Sequence, residues 1–470
     1  MLIENTKVVL RTPSPLLVTV SLALAAVATI YRYLMDQELS LVVFFMISLF
    51  IGLFITLFLM DKDAENRNYL IKLFVFTYSL NVIFTYIFAA YFESQSGNPF
   101  IPAIGYRHPD DLKFFDVGVA LAKNWHGEAR GLLVDPLLGF KYHGYPYIVG
   151  SIYYITDFLG DMSPLTPRIV NCSFGALVPI LMFQIGSIVY EKRVAYLSVI
   201  LFIFFPLWYH FSTVILRDVL VAFLLCLYVY DLLVLTNISR FDVKAWLGMA
   251  ISVFALYFLR APLVAVLFVG TIGCLLFYYR TIAIRAALLF ILFVVFSVAL
   301  MKGVLIGEKV ATTVIDQSER WGEGIVNVAS EDSLAVKYIY SAPTLLFVPL
   351  ITIYAIVTPV PPIQSFMLHH IAIGIAAILW YFYIPFWIYA LKQSLKNRKE
   401  VFLTIFIVLL FAGIAAIQPT IRHKTQFLGL ALIQVASGLI LLEAKKIQII
   451  ISVLVVLMFL FGTYVALKFS

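Results

Sequence analysis

The sequence predicts an all-α polytopic membrane protein whose 470 residues form a single transmembrane domain, 1–470. Hydrophobic residues make up 63% of the chain, charged residues only 13%, and the mean hydropathy is +0.99. A soluble fold does not hide so large an apolar fraction from water. Apolar runs close to twenty residues long match membrane-spanning helices, and they exclude an outer-membrane barrel, whose strands alternate.

Hydropathy along the chain predicts about 13 transmembrane helices. Their approximate bounds are 14–34, 40–60, 69–91, 168–190, 194–213, 217–236, 245–260, 262–279, 282–304, 366–391, 401–418, 427–443 and 447–467. A further apolar piece, 343–360, runs into a proline-rich exit and is interpreted as a re-entrant segment, because such backbone is tolerated where it lines a protein cavity. A 14-span alternative, in which this piece crosses, stays open.

Basic residues predict the orientation of these spans. With a cytoplasmic N-terminus, 17 of the 33 basic residues fall on inside segments and six fall on short outside turns. This asymmetry follows the positive-inside rule and predicts a multi-pass protein of the cell (inner) membrane. The formal net charge of +7 therefore reports topology, and no nucleic-acid partner is expected.

Two long loops are predicted on the extracytoplasmic side, at 92–167 and 305–342, and function is expected there. In the first loop, the apolar positions 114, 115, 117, 119, 121 and 122 predict an amphipathic helix that lies along the membrane surface. The second loop is polar and acidic around Trp321. We expect it to cover a site, with Trp321 as a candidate pocket residue.

An acidic pair, Asp110 and Asp111, opens the predicted surface helix. A carboxylate fixed near the bilayer on the extracytoplasmic side suits a general base or a metal ligand. The alternative is a helix cap, because aspartate is a preferred capping residue and acidic groups favour the first turn. Further along, His143 and Tyr145 are pocket candidates, with an interfacial aromatic belt as the alternative, and Arg168 is expected to reach the headgroups.

Basic residues also occupy three short turns on the predicted outer face, where the topology normally avoids them. Arginine offers a permanent bidentate fork for phosphate, so these residues suit a lipid-linked phosphate or diphosphate. The alternatives are headgroup anchors and, for the first turn, an internal ion pair. The phosphate-binding candidates are Arg217, Arg260, Arg422 and Lys424, and their neighbours Asp218, His423 and the nearby His210 are pocket candidates.

The order of motifs in the first half of the chain adds a family resemblance. The loop segment "DDLKFFDVGVALAKN" is followed by "HGYPYIVGSIYYI", by a span opening "PRIVNCSFGALVPIL", and by "STVILRDVLVAFLL". This order resembles the GT-C glycosyltransferases, in particular the protein O-mannosyltransferase and aminoarabinose-transferase branch, over about 90–265 and more loosely 340–430. The resemblance implies a GT-C-like fold, a catalytic aspartate at Asp110 or Asp111 and a polyprenyl-phosphate-linked sugar donor.

The chain departs from that family in two respects. Two spans precede the one that resembles the first span of the family, and no large soluble domain follows the last span. Peptide acceptors are therefore less expected than a glycan or lipid acceptor. The leading hypothesis is an inverting glycosyltransferase with its site on the extracytoplasmic face, and a divalent metal ion stays open as a cofactor.

Two other functions compete with this hypothesis. The first is an O-antigen-type polymerase or ligase that moves a whole glycan from a lipid diphosphate, as the larger second loop allows. The second is a transporter or flippase for lipid-linked sugars, which is disfavoured because the chain has no duplicated halves and no string of charges inside the spans.

Overall fold

The computed structural model of the chain describes residues 13–59, 64–101, 110–127, 144–237, 242–278, 368–394, 397–417 and 421–442. Every regular element in these ranges is a helix, as the sequence predicts. The helices are α1 (Pro15–Asp36), α2 (Leu39–Leu59), α3 (Ala64–Ser96), α4 (Asp110–Trp125), α5 (Gly144–Asp157), α6 (Thr166–Val189), α7 (Lys192–Ile203), α8 (Pro206–Ser212), α9 (Asp218–Asn237), α10 (Val243–Tyr278), α11 (Leu368–Ser394), α12 (Arg398–Ile417) and α13 (Ile421–Leu441).

Among the described residues, eight helices are long and apolar enough to cross a membrane. They lie in α1, α2, α3, α6, α9, the first part of α10, α11 and α13. Backbone groups in lipid have no water to bond, so a chain of this composition satisfies them within helices. The fold class expected from hydropathy, a helical chain with many candidate membrane spans, is confirmed at this level.

One predicted span is broken in the structure, and the predicted boundary between two others is a kink within one helix. The span expected at 194–213 is two helices, α7 and α8, bent by 64° at a break before Pro206. The spans expected at 245–260 and 262–279 correspond to the two parts of α10, which is interrupted at Arg260, where the backbone leaves helical geometry (φ −164°, ψ 71°). Pro206 explains the first break, because it removes a backbone donor and disfavours helical geometry in the preceding residue. At the second break, Pro262 lacks the backbone donor that would continue the helical hydrogen bonds. The predicted segments 282–304, 305–342, 343–360 and 447–467 lie outside the described residues.

The chain forms two compact units. The first contains residues 1–261, 361–390 and 425–470, and the second contains 262–360 and 391–424. In the first unit, α6 is the central helix and packs against α2, α3, α7 and α9. Its polar side chains tie it to the neighbouring backbones, because the Ser173 hydroxyl donates to the Ser48 carbonyl oxygen at 3.0 Å and the Gln184 amide donates to the Leu59 carbonyl oxygen at 2.8 Å.

Helices α4 and α5 pack closely on each other. A Cβ added at Gly118 would overlap the side chain of Val149, and one added at Gly150 would lie 2.9 Å from Leu121, so the lack of a side chain at both positions allows this close packing. The buried apolar residues of α4, among them Phe114 and Leu121, therefore face protein. The helix begins at Asp110 as expected, but packing on α5 buries the apolar face that the sequence suggested would rest on the membrane.

Within the second unit, the described helices also interlock through small and polar residues. The Cys274 thiol donates to the Phe402 carbonyl oxygen at 3.3 Å, which joins α10 to α12. The hydroxyl groups of Ser394 and Thr404 lie 2.7 Å apart and join the end of α11 to α12.

Candidate functional site

The acidic pair at the start of α4 divides into one exposed and one buried residue. Asp110 is the first residue of the helix and is exposed, whereas the Asp111 side chain is completely buried. Successive residues of a helix point about 100° apart, so one aspartate faces the surface while the next faces the core. Of the two catalytic candidates, only Asp110 has an exposed carboxylate.

A set of contacts holds the Asp111 side chain in place. One carboxylate oxygen lies 3.5 Å from the guanidinium of Arg168 and accepts the backbone N–H of Ile101 at 3.1 Å. The other oxygen accepts the N–H of Leu112 at 3.0 Å. Burial raises the pKa of the Asp111 carboxyl, although Arg168 and these backbone groups oppose that shift.

Arg168 is fully buried, so the expectation that it reaches the headgroups is wrong. Its guanidinium donates to the carbonyl oxygen of Pro99 at 2.7 Å and lies over the ring of Phe100, 5.7 Å from the centroid. A charge so buried requires a partner, because an isolated ion in a low-dielectric interior costs several kcal/mol. Arg168 and Asp111 thus fasten the start of α4 to α6 and to the segment that follows α3.

A second group of contacts begins one turn further along α6, at Asn171. The Asn171 amide donates to the Val214 and Leu216 carbonyl oxygens at 2.9 and 3.1 Å, and it bonds the hydroxyl of Tyr145 at 2.9 Å. The ring of Tyr145 packs edge-on against Phe114 of α4, with centroids 4.9 Å apart. Asn171 therefore connects the helix that carries Asp110 to the turn that precedes Arg217.

Two of the basic candidates, Arg217 and Arg260, lie beside this turn. Arg217 donates to the carbonyl oxygen of Leu259 at 3.0 Å, and the next residue, Asp218, lies 3.7 Å from the guanidinium of Arg260. Asp218 also accepts a hydrogen bond from the Gln426 amide. Arg260 is buried at the break in α10, so the break brings this charge to Asp218 in the first turn of α9.

The ion pair between Arg260 and Asp218 refines the expectation for these turns. The sequence suggested that Arg217 and Asp218 pair with each other, as an alternative to phosphate binding. In the structure one ion-pair partner of Asp218 is Arg260, 42 residues further along the chain. Since the Arg217 guanidinium bonds a backbone carbonyl, the two arginines hold α9 and α10 together at this end of the first unit.

The contacts described above do not include the other candidates. His143 and Trp321 lie outside the described residues. His210 is buried in α8 between the rings of Phe88 and Phe211. Arg422, His423 and Lys424 lie in the first turn of α13 and belong to the second unit, and Lys424 is buried. Their convergence on Arg260 stays a prediction.

Two residues that organise the site were missed as functional candidates in the sequence. Neither Asn171 nor Gln426 was among the candidates from the sequence. A polar amide within an apolar run is itself a signal, because a buried amide requires hydrogen-bond partners. In the part of the chain that the structure describes, no group of three His, Cys, Asp or Glu side chains is arranged to hold a metal ion.

The described fold and site define a helical chain with several candidate membrane spans and a charged, hydrogen-bonded cluster at one end of its first unit. Comparison of the chain with protein-family models, with curated proteins and with solved structures finds no match.

Proposed function

We propose that the protein is an integral-membrane glycosyltransferase that moves a sugar from a polyprenyl-phosphate-linked donor to a glycan or lipid acceptor. One observation carries the proposal: an exposed carboxylate, Asp110, lies on a helix start that is joined by continuous contacts to two buried arginine-containing clusters. The contacts run from Asp111 and Arg168 through Asn171 to the turn that carries Arg217. A base and permanent positive charge at one helix end are the groups that transfer from a sugar phosphate requires.

Asp110 acts as the general base in this mechanism. Its carboxylate takes the proton of the acceptor hydroxyl as the acceptor oxygen bonds the anomeric carbon. The bond between that carbon and the phosphate oxygen breaks, and the bonding electrons leave with polyprenyl phosphate. Attack opposite the leaving group inverts the anomeric centre.

Arginine side chains stabilise the departing phosphate. Arg217 and Arg260 are the candidates next to the contacts that lead to Asp110, and Arg422 and Lys424 stay candidates because of their charge and predicted topology. A guanidinium suits this role because its charge is permanent and its donors match a phosphate bidentately. Use of Arg260 requires that the phosphate compete with Asp218 for the guanidinium.

Release of free polyprenyl phosphate tests the proposal. Purified protein reconstituted in lipid vesicles is incubated with a polyprenyl-phosphate-linked sugar and an acceptor glycan. Asp110→Asn keeps the shape of the side chain and removes the base, so release should fall by at least roughly a hundredfold. Asp116→Asn is the matched control, because Asp116 is also exposed on α4 but lies almost two turns away.

Three results separate the competing functions. Release that depends on Asp110 and not on Asp116 supports the proposal. Release only from a lipid-diphosphate-linked oligosaccharide would point to a polymerase or ligase. Movement of the intact donor across the vesicle membrane without release would make the protein a transporter and refute the enzyme assignment.

A further inference from the structure

Helices α4 and α5 present two chemically different surfaces. The exposed residues of α4 include charged ones along its length: Asp110, Lys113, Asp116 and Lys123. The exposed residues of α5 and the turn that follows include Tyr147, Ser151, Ile155 and Phe158, which recur every three or four residues and so form one stripe. Ile155 is 50% exposed and Phe158 is 70% exposed, so this face is not buried by the described protein.

Aromatic rings widen the stripe into a surface. Trp125, at the end of α4, stacks on Tyr147 with ring centroids 6.2 Å apart and an angle of 18°. Tyr154 stacks on His126 at 4.3 Å, and Phe158 contacts both rings edge-on. We call these residues of α5 and the end of α4, from Trp125 and His126 to Phe158, the aromatic face. Rings with an apolar body and a polar tip are typical of a membrane–water interface.

Contacts at both ends of α5 place it at the level where candidate spans end. At its start, a Cβ added at Gly144 would lie 2.9 Å from the carbonyl oxygen of Phe258, two residues before the break in α10. After its end, the Asp161 carboxylate accepts the backbone N–H of Ser40 at 2.9 Å, in the first turn of α2. A 14-residue helix is roughly 20 Å long, so α5 runs across the bundle between two span ends.

A surface that faces lipid if α10 spans the membrane lies beside the start of α5. Next to the Gly144 contact, Phe254 and Tyr257 of α10 are 68% and 59% exposed. Both lie in the part of α10 that is long and apolar enough to cross a membrane. An apolar surface that begins beside such a span and lies at the depth of its end meets the headgroup region.

We propose that the aromatic face rests in the headgroup layer of the leaflet at this end of the bundle, while the charged residues of α4 face water. The partner is therefore a lipid surface, and α5 makes the contact that the sequence assigned to α4. Because Asp110 belongs to the charged face, this arrangement fixes its carboxylate on the aqueous side, just above the lipid headgroups. The inference does not depend on the transferase activity.

Spin labels test which face meets lipid. Single cysteines replace Ile155 or Phe158 on the aromatic face, and Lys113 or Lys123 on the charged face as matched controls. All four positions are exposed, and the three native cysteines are buried, so the unmodified protein reports the background labelling. The labelled proteins are reconstituted in vesicles of phosphatidylethanolamine and phosphatidylglycerol, and collisions with oxygen and with a water-soluble nickel chelate are compared.

We expect labels at 155 and 158 to collide more often with oxygen than with the nickel chelate, and labels at 113 and 123 to show the opposite order. Melting temperatures close to that of the unmodified protein show that each variant is folded. Equal access of the nickel chelate to all four positions would overturn the proposal. So would water access at 155 and 158 that is lost when an oligosaccharide is added, because the aromatic face would then bind sugar.

Discussion

Removal of Arg168 should destabilise the protein more than any exposed substitution, because it leaves the Asp111 carboxylate buried without its ion-pair partner. Breaking one side of a buried pair costs about 3–5 kcal/mol. Arg168→Met keeps much of the side-chain volume, and it also removes the 2.7 Å hydrogen bond to Pro99, which adds about 1 kcal/mol. The free energy of unfolding should therefore fall by about 4–6 kcal/mol.

A double variant isolates the pair. Asp111→Asn alone leaves the buried arginine unpaired, but combined with Arg168→Met it removes both charges and keeps an amide oxygen for the Ile101 N–H. The double variant should then lose less stability than the sum of the single variants, with a coupling energy of about 1–3 kcal/mol. Unfolding in mixed micelles, followed by tryptophan fluorescence as the dodecyl sulfate fraction rises, measures all four proteins. Additive losses would refute the ion pair as the reason why both residues are buried.

Three further predictions concern packing, the phosphate site and the topology. Gly438→Ala should lower the melting temperature by several degrees, because its Cβ would overlap a backbone carbonyl oxygen of α11. Gly273→Ala should not, since among the described residues no atom outside its own helix lies closer than 3.7 Å to the added Cβ; equal melting temperatures would contradict the packing. Arg260→Gln should slow donor turnover by roughly ten- to a hundredfold, and Arg260→Lys should restore part of the rate. An unchanged rate would show that Arg260 does not bind the phosphate. A cysteine at the exposed position 123 should react with an impermeant maleimide added outside cells, and a cysteine at 192 should not. The reverse pattern would show that the predicted topology is inverted.

The sequence by itself determines the helical membrane architecture and the start of α4. Lipid leaves a chain no partner for its backbone groups except itself, so apolar length alone predicts helices, as α2 and α9 show. A helix start is equally local, since aspartates in the first turn favour it, and α4 begins at Asp110 as expected. A break inside an apolar run is harder to predict from the sequence. The one before Pro206 interrupts a run that hydropathy alone treats as a single span.

Only the tertiary structure decided which charged residues of the site are buried and paired. Asp111 and Arg168 are 57 residues apart in sequence, and Asp218 and Arg260 are 42 residues apart. No local pattern specifies such pairs, because their contacts depend on how α4 and α10 pack on the rest of the first unit. The same packing turns the apolar side of α4 onto α5 and leaves the aromatic face outward. A period of 3.6 residues shows that a helix has an apolar face, but such a face can pack against protein or contact lipid. The position of the neighbouring helix determines which of the two it contacts.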